Sequence, residues 1–134
     1  MPKLDFLVVG DHVRPDSGVF NILAAGVDRI FTEVPGAVFL GLAGRVTFDR
    51  EEASNRHVAD VRITGPDGKT VLQVRGEMAA TPAPDVPEDW PIQTGLGLNL
   101  LVPFQEHGVH TLSLLVDGEE LKVIPLIVGP PQEA

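Results

Sequence analysis

The chain is 134 residues long, carries a formal net charge of −9 and contains no cysteine. That length makes one domain, able to bury roughly two-thirds of its unfolded surface without covalent staples. The missing thiol excludes disulfides, thiolate nucleophiles and Cys-ligated metal sites. Seven arginines and three lysines lie scattered along the chain, so a polyanion of this kind offers no basic stripe to nucleic acid or anionic lipid.

The first predicted strand alternates Leu4, Phe6 and Val8 with Asp5, Leu7 and Val9. Pro15-Asp16-Ser17-Gly18 is a turn signal. Val19 to Phe31 follows, long and apolar, broken near Ala24-Ala25-Gly26; it reads as one bent strand or two short ones, with a bulge at the glycine. After the Pro35-Gly36 turn, Val38, Leu40, Leu42, Val46 and Phe48 keep a period of two, the mark of a strand with one buried face. The charged stretch from Asp49 to Arg56 holds the best helix candidate, Asp49 to Asn55, which lacks a periodic apolar face.

Ala59, Val61 and Ile63 alternate with Asp60, Arg62 and Thr64, and Gly65-Pro66-Asp67-Gly68 turns the chain back through Leu72, Val74 and Met78. Pro82 to Pro91 is rich in proline and acid around a lone Trp90. Leu96, Leu98, Leu100 and Val102 make the next strand. The strongest local signal closes the chain: Asp117-Gly118 sits between two alternating apolar runs, a hairpin with a two-residue turn. That turn puts Val116 opposite Glu119, Leu114 opposite Leu121 and Leu112 opposite Val123. Pro130-Pro131 ends the fold.

Many short strands with regular turns predict an all-β chain, a two-sheet antiparallel β-sandwich of seven or eight strands. It forms a single domain over residues 1–134, with an ordered core from about residue 3 to about residue 129. No basic region leads into an apolar stretch at the N-terminus, and no run reaches the length of a membrane helix. The expectation is a soluble cytoplasmic protein, and the abundance of Ala, Val, Gly, Pro and Arg leans toward a bacterial source.

Leu4-Asp5-Phe6 with Asp11-His12, the stretch Asn21 to Ile30, Gly108-x-His110, Val116-Asp117-Gly118 and Ile124-Pro125-Leu126 together resemble a small bacterial β-sandwich family of unknown function, immunoglobulin-like in type. The resemblance spans nearly the whole chain and brings no catalytic residues with it.

Candidate sites are few. Asp11-His12-x-Arg14 groups three ionisable side chains that can hold a small anion or move a proton; the plainer reading is a charged turn before Pro15. Trp90 is either a partner anchor or, the plainer reading, a cap on one end of the sandwich. His57 and His110 each begin an apolar row and read as rim-of-core residues bonded to backbone, ahead of a zinc site shared with a carboxylate. No serine stands in a nucleophile elbow, and Gly95-Leu96-Gly97 is no phosphate cradle. No metal and no cofactor is expected.

Large apolar residues also fall on rows opposite the core rows, among them Val9, Phe20, Ile22, Ile124 and Leu126, with Leu7, Phe39 and Val128. Left wet, they form a patch that soluble monomers rarely carry. The expectation is a non-enzymatic, intracellular interaction or structural module that forms a homodimer through these rows. The alternative is a small-ligand or carbohydrate-binding sandwich using Trp90 and the Asp11–Arg14 turn. No nucleic acid or membrane partner is expected.

Overall fold

A computed structural model of the chain describes residues 2–16, 19–53, 55–78, 87 and 89–131. In order, its elements are β1 (Lys3–Gly10), β2 (His12–Asp16), β3 (Val19–Leu23), β4 (Arg29–Phe31), β5 (Gly36–Phe48), α1 (Arg50–Ala53), β6 (His57–Thr64), β7 (Thr70–Met78), β8 (Ile92–Phe104), β9 (Gly108–Val116) and β10 (Glu119–Gly129). They form a three-stranded sheet β1-β5-β8, a five-stranded sheet β4-β10-β9-β6-β7, and a two-stranded ribbon β2-β3. The chain is all-β. Its described residues form ten strands and three sheets, against the seven or eight strands and two sheets expected, because the β2–β3 ribbon is a unit of its own. The Val19–Phe31 stretch is two strands in different sheets; Ala24 and Gly26, both at positive φ, carry the chain between them. Most of the Pro82–Pro91 segment, residues 82–86 and 88, lies outside the described residues.

The alternation in β5 does what it promised. Leu40 and Leu42, with Val102 and Phe104 of β8, bury against Val61 and Ile63 of β6 and Leu112 and Leu114 of β9. Val46 and Phe48 continue the row into a smaller cluster with Ile92 and Val116. Each such side chain gains roughly 1.5–3 kcal/mol from leaving water.

Two single-residue bulges change the expected faces. In β1, Leu4 pairs with Val46 and Phe6 with Arg45, so Asp5 is the extra residue. In β10, Glu120 pairs with Leu115 and Lys122 with Leu114, so Leu121 is extra. One inserted residue moves everything beyond it to the other face. The hairpin therefore starts in the expected register and leaves it: Leu112 faces Ile124, where an unbroken ladder gives it Val123.

The consequence corrects the proposed interface. Val9, Leu126 and Val128 are core residues, and Leu7 and Ile124 pack against that core. Phe6 turns outward instead, into an edge-to-face contact with Phe20 and beneath the Arg45 guanidinium.

Phe20 and Ile22 are half-buried against the chain itself. The β2–β3 ribbon lies on the outer face of the three-stranded sheet, and its own Val13 is buried between the two. Gly41 permits this: a Cβ there would stand 2.7 Å from the His12 carbonyl carbon. Beside it in the sheet, Asn99 donates to the Val13 carbonyl at 2.8 Å and accepts from the Val13 N–H at 2.8 Å. Further along, the Phe20 ring sits over Gly95, where a Cβ would come within 2.9 Å of it. The ribbon thus packs Phe20 and Ile22 onto the chain's own sheet, where a second subunit was expected, while Phe39 remains 67 % exposed.

Candidate functional site

The ribbon carries His12 and Arg14 on its solvent side, and Asp11 immediately precedes it. Asp11, His12 and Arg14 are all exposed. His12 and Arg14 share a shallow, open depression with Asn21, Ile22 and Leu23, whereas Asp11 is tied by its N–H to the Leu23 carbonyl and does not line it. Trp90, expected as a buried cap, is 56 % exposed. It does not line that depression, so the structure does not gather the four residues into one cleft.

The two histidines of interest are both buried. His57 opens β6 and stacks on Phe48 at 4.3 Å between centroids. Its Nδ1 meets the Asp117 carboxylate at 2.6 Å and its Nε2 meets the Glu52 carbonyl at 2.6 Å. The ionised carboxylate and the carbonyl both accept, so this geometry favours the imidazolium, in which both ring nitrogens donate. Burial opposes that charge, but the bonds to Asp117 and Glu52 outweigh it and raise the pKa of His57. Burial likewise pushes the Asp117 carboxyl up, and the His57 and Val58 bonds more than reverse it, leaving its pKa lowered. Asp117 also accepts from the Val58 N–H at 2.9 Å. The Asp-Gly turn is therefore a clamp as well as a turn, tying the last hairpin to the start of β6 and to α1.

A second polar knot lies on the outer face of the five-stranded sheet. Asp60 of β6, itself buried, accepts from Arg62 at 2.8 Å, from Arg75 at 3.1 Å and from Gln73 at 3.1 Å. Burial raises its pKa, and the two arginines reverse the effect, so the group stays ionised. The alternation Asp60, Arg62 facing Gln73 and Arg75 across the Pro-Asp-Gly turn was a legible signal for this knot, and the sequence reading passed over it.

His110 of β9 is fully buried, edge-on to Phe104 at 5.0 Å between centroids. Its Nδ1 bonds the Gly108 carbonyl at 3.2 Å, and its Nε2 has no partner. It belongs to the wall of a cavity of about 330 Å³ at the end of the sheets, together with Asp67, Lys69 and Glu106. Among the described residues, no three His, Asp or Glu side chains are placed to hold a metal ion. Among them too, no helix is long and apolar enough to cross a membrane.

A model for a family of unknown function (DUF6941) matches residues 5–129. The chain belongs to that family. No curated protein matches it. Among solved structures, the DUF6941 chain is similar to the Pseudomonas fluorescens alkylpurine DNA glycosylase AlkC, at 13 % identity and a TM-score of 0.54 over 96 % of this chain and 30 % of that one. It is also similar to a Listeria innocua β-glucosidase, at 8 % identity and a TM-score of 0.50, covering 99 % of this chain and 16 % of that one. An immunoglobulin-like protein from Pseudomonas aeruginosa matches at 12 % identity and a TM-score of 0.47, over 96 % of each chain. The DUF6941 chain thus spans about a third or less of the two larger enzymes, and at such identities the likeness is one of fold.

What the DUF6941 chain does expose is an apolar strip on the outer face of its five-stranded sheet. Phe31 of β4, Ile127 and Val123 of β10 and Val109 of β9 are 49, 45, 44 and 54 % exposed. Ile127 and Val109 are direct cross-strand partners, and Phe31 is the diagonal neighbour of Ile127 through the β4–β10 pairing. The sequence reading missed the strip because without the bulge at Leu121 its two β10 members, Val123 and Ile127, fall on the inner face.

Proposed function

We propose that the chain is an immunoglobulin-like, two-layer interaction module without catalytic activity, which pairs with a second copy of itself through the outer face of the five-stranded sheet. The observation that carries this is the contiguous strip of Phe31, Ile127, Val109 and Val123. Charge supports a like partner. The chain as a whole carries −9, a net charge that keeps copies apart. On this face Arg29, Arg62 and Arg75 stand against Asp60, Glu77 and Glu120, so two copies meet here on balanced charge. An isologous twofold pairing lays each strip on its counterpart.

The interface moves accordingly. Of the residues first expected there, Val9 and Leu126 serve the core, while β10 contributes through Val123 and Ile127. A chain without cysteine gains nothing from an oxidising compartment, which fits a bacterial cytoplasmic protein. The test is the variant Val109→Lys, which puts a charge into the strip directly opposite Ile127. Its far-UV spectrum and melting temperature should match those of the wild type at low concentration, while its sedimentation coefficient becomes that of a monomer at every concentration. If the variant sediments as the wild type does, this face is not the contact.

A further inference from the structure

The seam between the two sheets lies on the far side of the five-stranded sheet from the apolar strip. There β7 ends the five-stranded sheet and β8 ends the three-stranded one, and a gap of about 290 Å³ lies between them. Residues 74–78 of β7 and 95–98 of β8 line it without a break. Side chains of a strand alternate between its faces, so a gap touched by every residue in a run lies against the strand's edge. Among the described residues, β7 pairs in its sheet only with β6, and β8 only with β5. Both edges therefore turn backbone N–H and C=O groups toward the gap, and such an edge is a template for another strand. Neither strand carries a lysine, and β8 carries no charged side chain, so the usual guards of an edge are missing.

What fits there follows from Arg75, Gly76 and Glu77. Gly76 is the cross-strand partner of Ala59, which is buried in the wall of the gap. The side-chain position of Gly76 therefore faces the gap too, and a Cβ added there would meet nothing within 4 Å. Val61, Val74, Met78, Leu96 and Leu98 surround that space with apolar surface. Arg75 and Glu77, one to each side of Gly76, fall on the outer face and are exposed. Arg75 gives its Nε to Asp60, and its terminal nitrogens are further donors. Glu77 stands 3.9 Å from Arg56, beyond hydrogen-bond length. A strand laid along this edge thus meets a positive charge, an apolar hole and a negative charge at successive positions. A second copy does not fill the hole: the antiparallel register that sets Arg75 against Glu77 also sets Gly76 against Gly76.

We propose that the seam binds an extended peptide segment, added antiparallel to the free edge of β7, in the order basic, large apolar, acidic. The basic residue lies opposite Glu77, the apolar residue opposite Gly76 with its side chain in the gap, and the acidic residue opposite Arg75. Main-chain hydrogen bonds to β7 supply the affinity, and the gap and the two charges supply the specificity. Opposite charges directly across a strand pair stabilise it and like charges destabilise it, so the order of the three residues matters as well as their identity.

Acetyl-Val-Lys-Leu-Glu-Val-Thr amide is the probe. Acetyl-Val-Glu-Leu-Lys-Val-Thr amide has the same composition with the two charges exchanged. Each is titrated into the uniformly 15N-labelled full chain at constant ionic strength. The first should give saturable shifts at the amides of residues 74–78 and 95–98, and the second should bind roughly fivefold more weakly. Gly76→Leu fills the gap from within; it should keep the strand-rich far-UV spectrum and bind the first peptide roughly tenfold more weakly. Glu77→Lys, an exposed change, should prefer acetyl-Val-Glu-Leu-Glu-Val-Thr amide to the first peptide. Val109→Lys, on the strip, should bind the first peptide as the wild type does, so the seam is tested separately from the self-pairing. Four results would each overturn the proposal: no saturable shift, equal affinity for the two isomeric peptides, undiminished binding in a folded Gly76→Leu, and an unchanged preference in Glu77→Lys. Shifts along β7 that appear on raising the protein concentration alone would give the edge to a second copy and overturn it as well.

Discussion

Leu126 and Ile127 are neighbours on β10, and the bulge at Leu121 decides which of them belongs to the core. Leu126 is fully buried within the main cluster, whereas Ile127 is about half exposed on the opposite face. Truncating Leu126 to Ala removes three buried carbons from a packed site and should cost roughly 2–5 kcal/mol. Ile127→Ala gives up only the covered half of its side chain, so the loss should stay below about 1.5 kcal/mol. With a urea m-value of roughly 1.5–2 kcal/mol/M for a chain of this size, the Leu126 midpoint should fall by roughly 1–3 M and the Ile127 midpoint by less than about 1 M. Urea titrations followed by tryptophan fluorescence and far-UV circular dichroism, at sub-micromolar protein, measure both without a contribution from self-association. An Ile127→Ala loss equal to or larger than that of Leu126→Ala would mean that the ladder runs unbroken through Leu121, and the assignment of faces in β10 would be wrong.

Asn99→Ala leaves the Val13 N–H and C=O without their side-chain partner; about 1–3 kcal/mol should be lost, and hydrogen exchange at Val13 should accelerate more than at core amides of β5. Gly41→Val drives a side chain into the backbone of His12 and Val13, so the ribbon should detach, with solvent exposure of Phe20 and a loss of about 1–3 kcal/mol. Stability should follow pH through His57 and Asp117. The raised pKa of His57 means its contribution is complete below the ordinary 6.5 and is lost as pH rises through the folded value. The lowered pKa of Asp117 and Asp60 means theirs is complete above the ordinary 3.8 and lost as pH falls through the folded values. Melting temperature should therefore be highest between these limits. Asp117→Asn, which keeps the shape and tolerates the left-handed turn, should flatten the alkaline fall; an alkaline limb unchanged in that variant would remove the ion pair from the account.

The strands of the main sheets were legible because a half-buried strand writes a period of two and Asp-Gly or Pro-Asp-Gly closes a hairpin. β5, β6 and the β9–β10 turn lie where those patterns put them. The bulges at Asp5 and Leu121 were not, since one extra residue changes no composition. Their trace was present in another form: β1 and β10 each looked apolar on both faces, because the core row changes parity part-way along. Read as a wet surface, that trace suggested a dimer through Val9 and Leu126; in the fold it is the mark of a register shift. The ribbon hid for a different reason. What seats it is a missing side chain at Gly41 and an amide at Asn99, meeting Val13 from 86 residues away, and no local pattern encodes such a contact. His57 and His110 were flagged by position alone. Their chemistry depends on carbonyls and carboxylates brought in by turns, Asp117 from 60 residues away.

Sedimentation equilibrium of the wild-type chain bears most directly on the proposed pairing. At tens of micromolar the fitted mass should approach twice 14.3 kDa, and should fall toward the single-chain value on dilution. A mass of 14.3 kDa at every concentration would contradict the account, and would leave the strip of Phe31, Ile127, Val109 and Val123 to a partner other than itself.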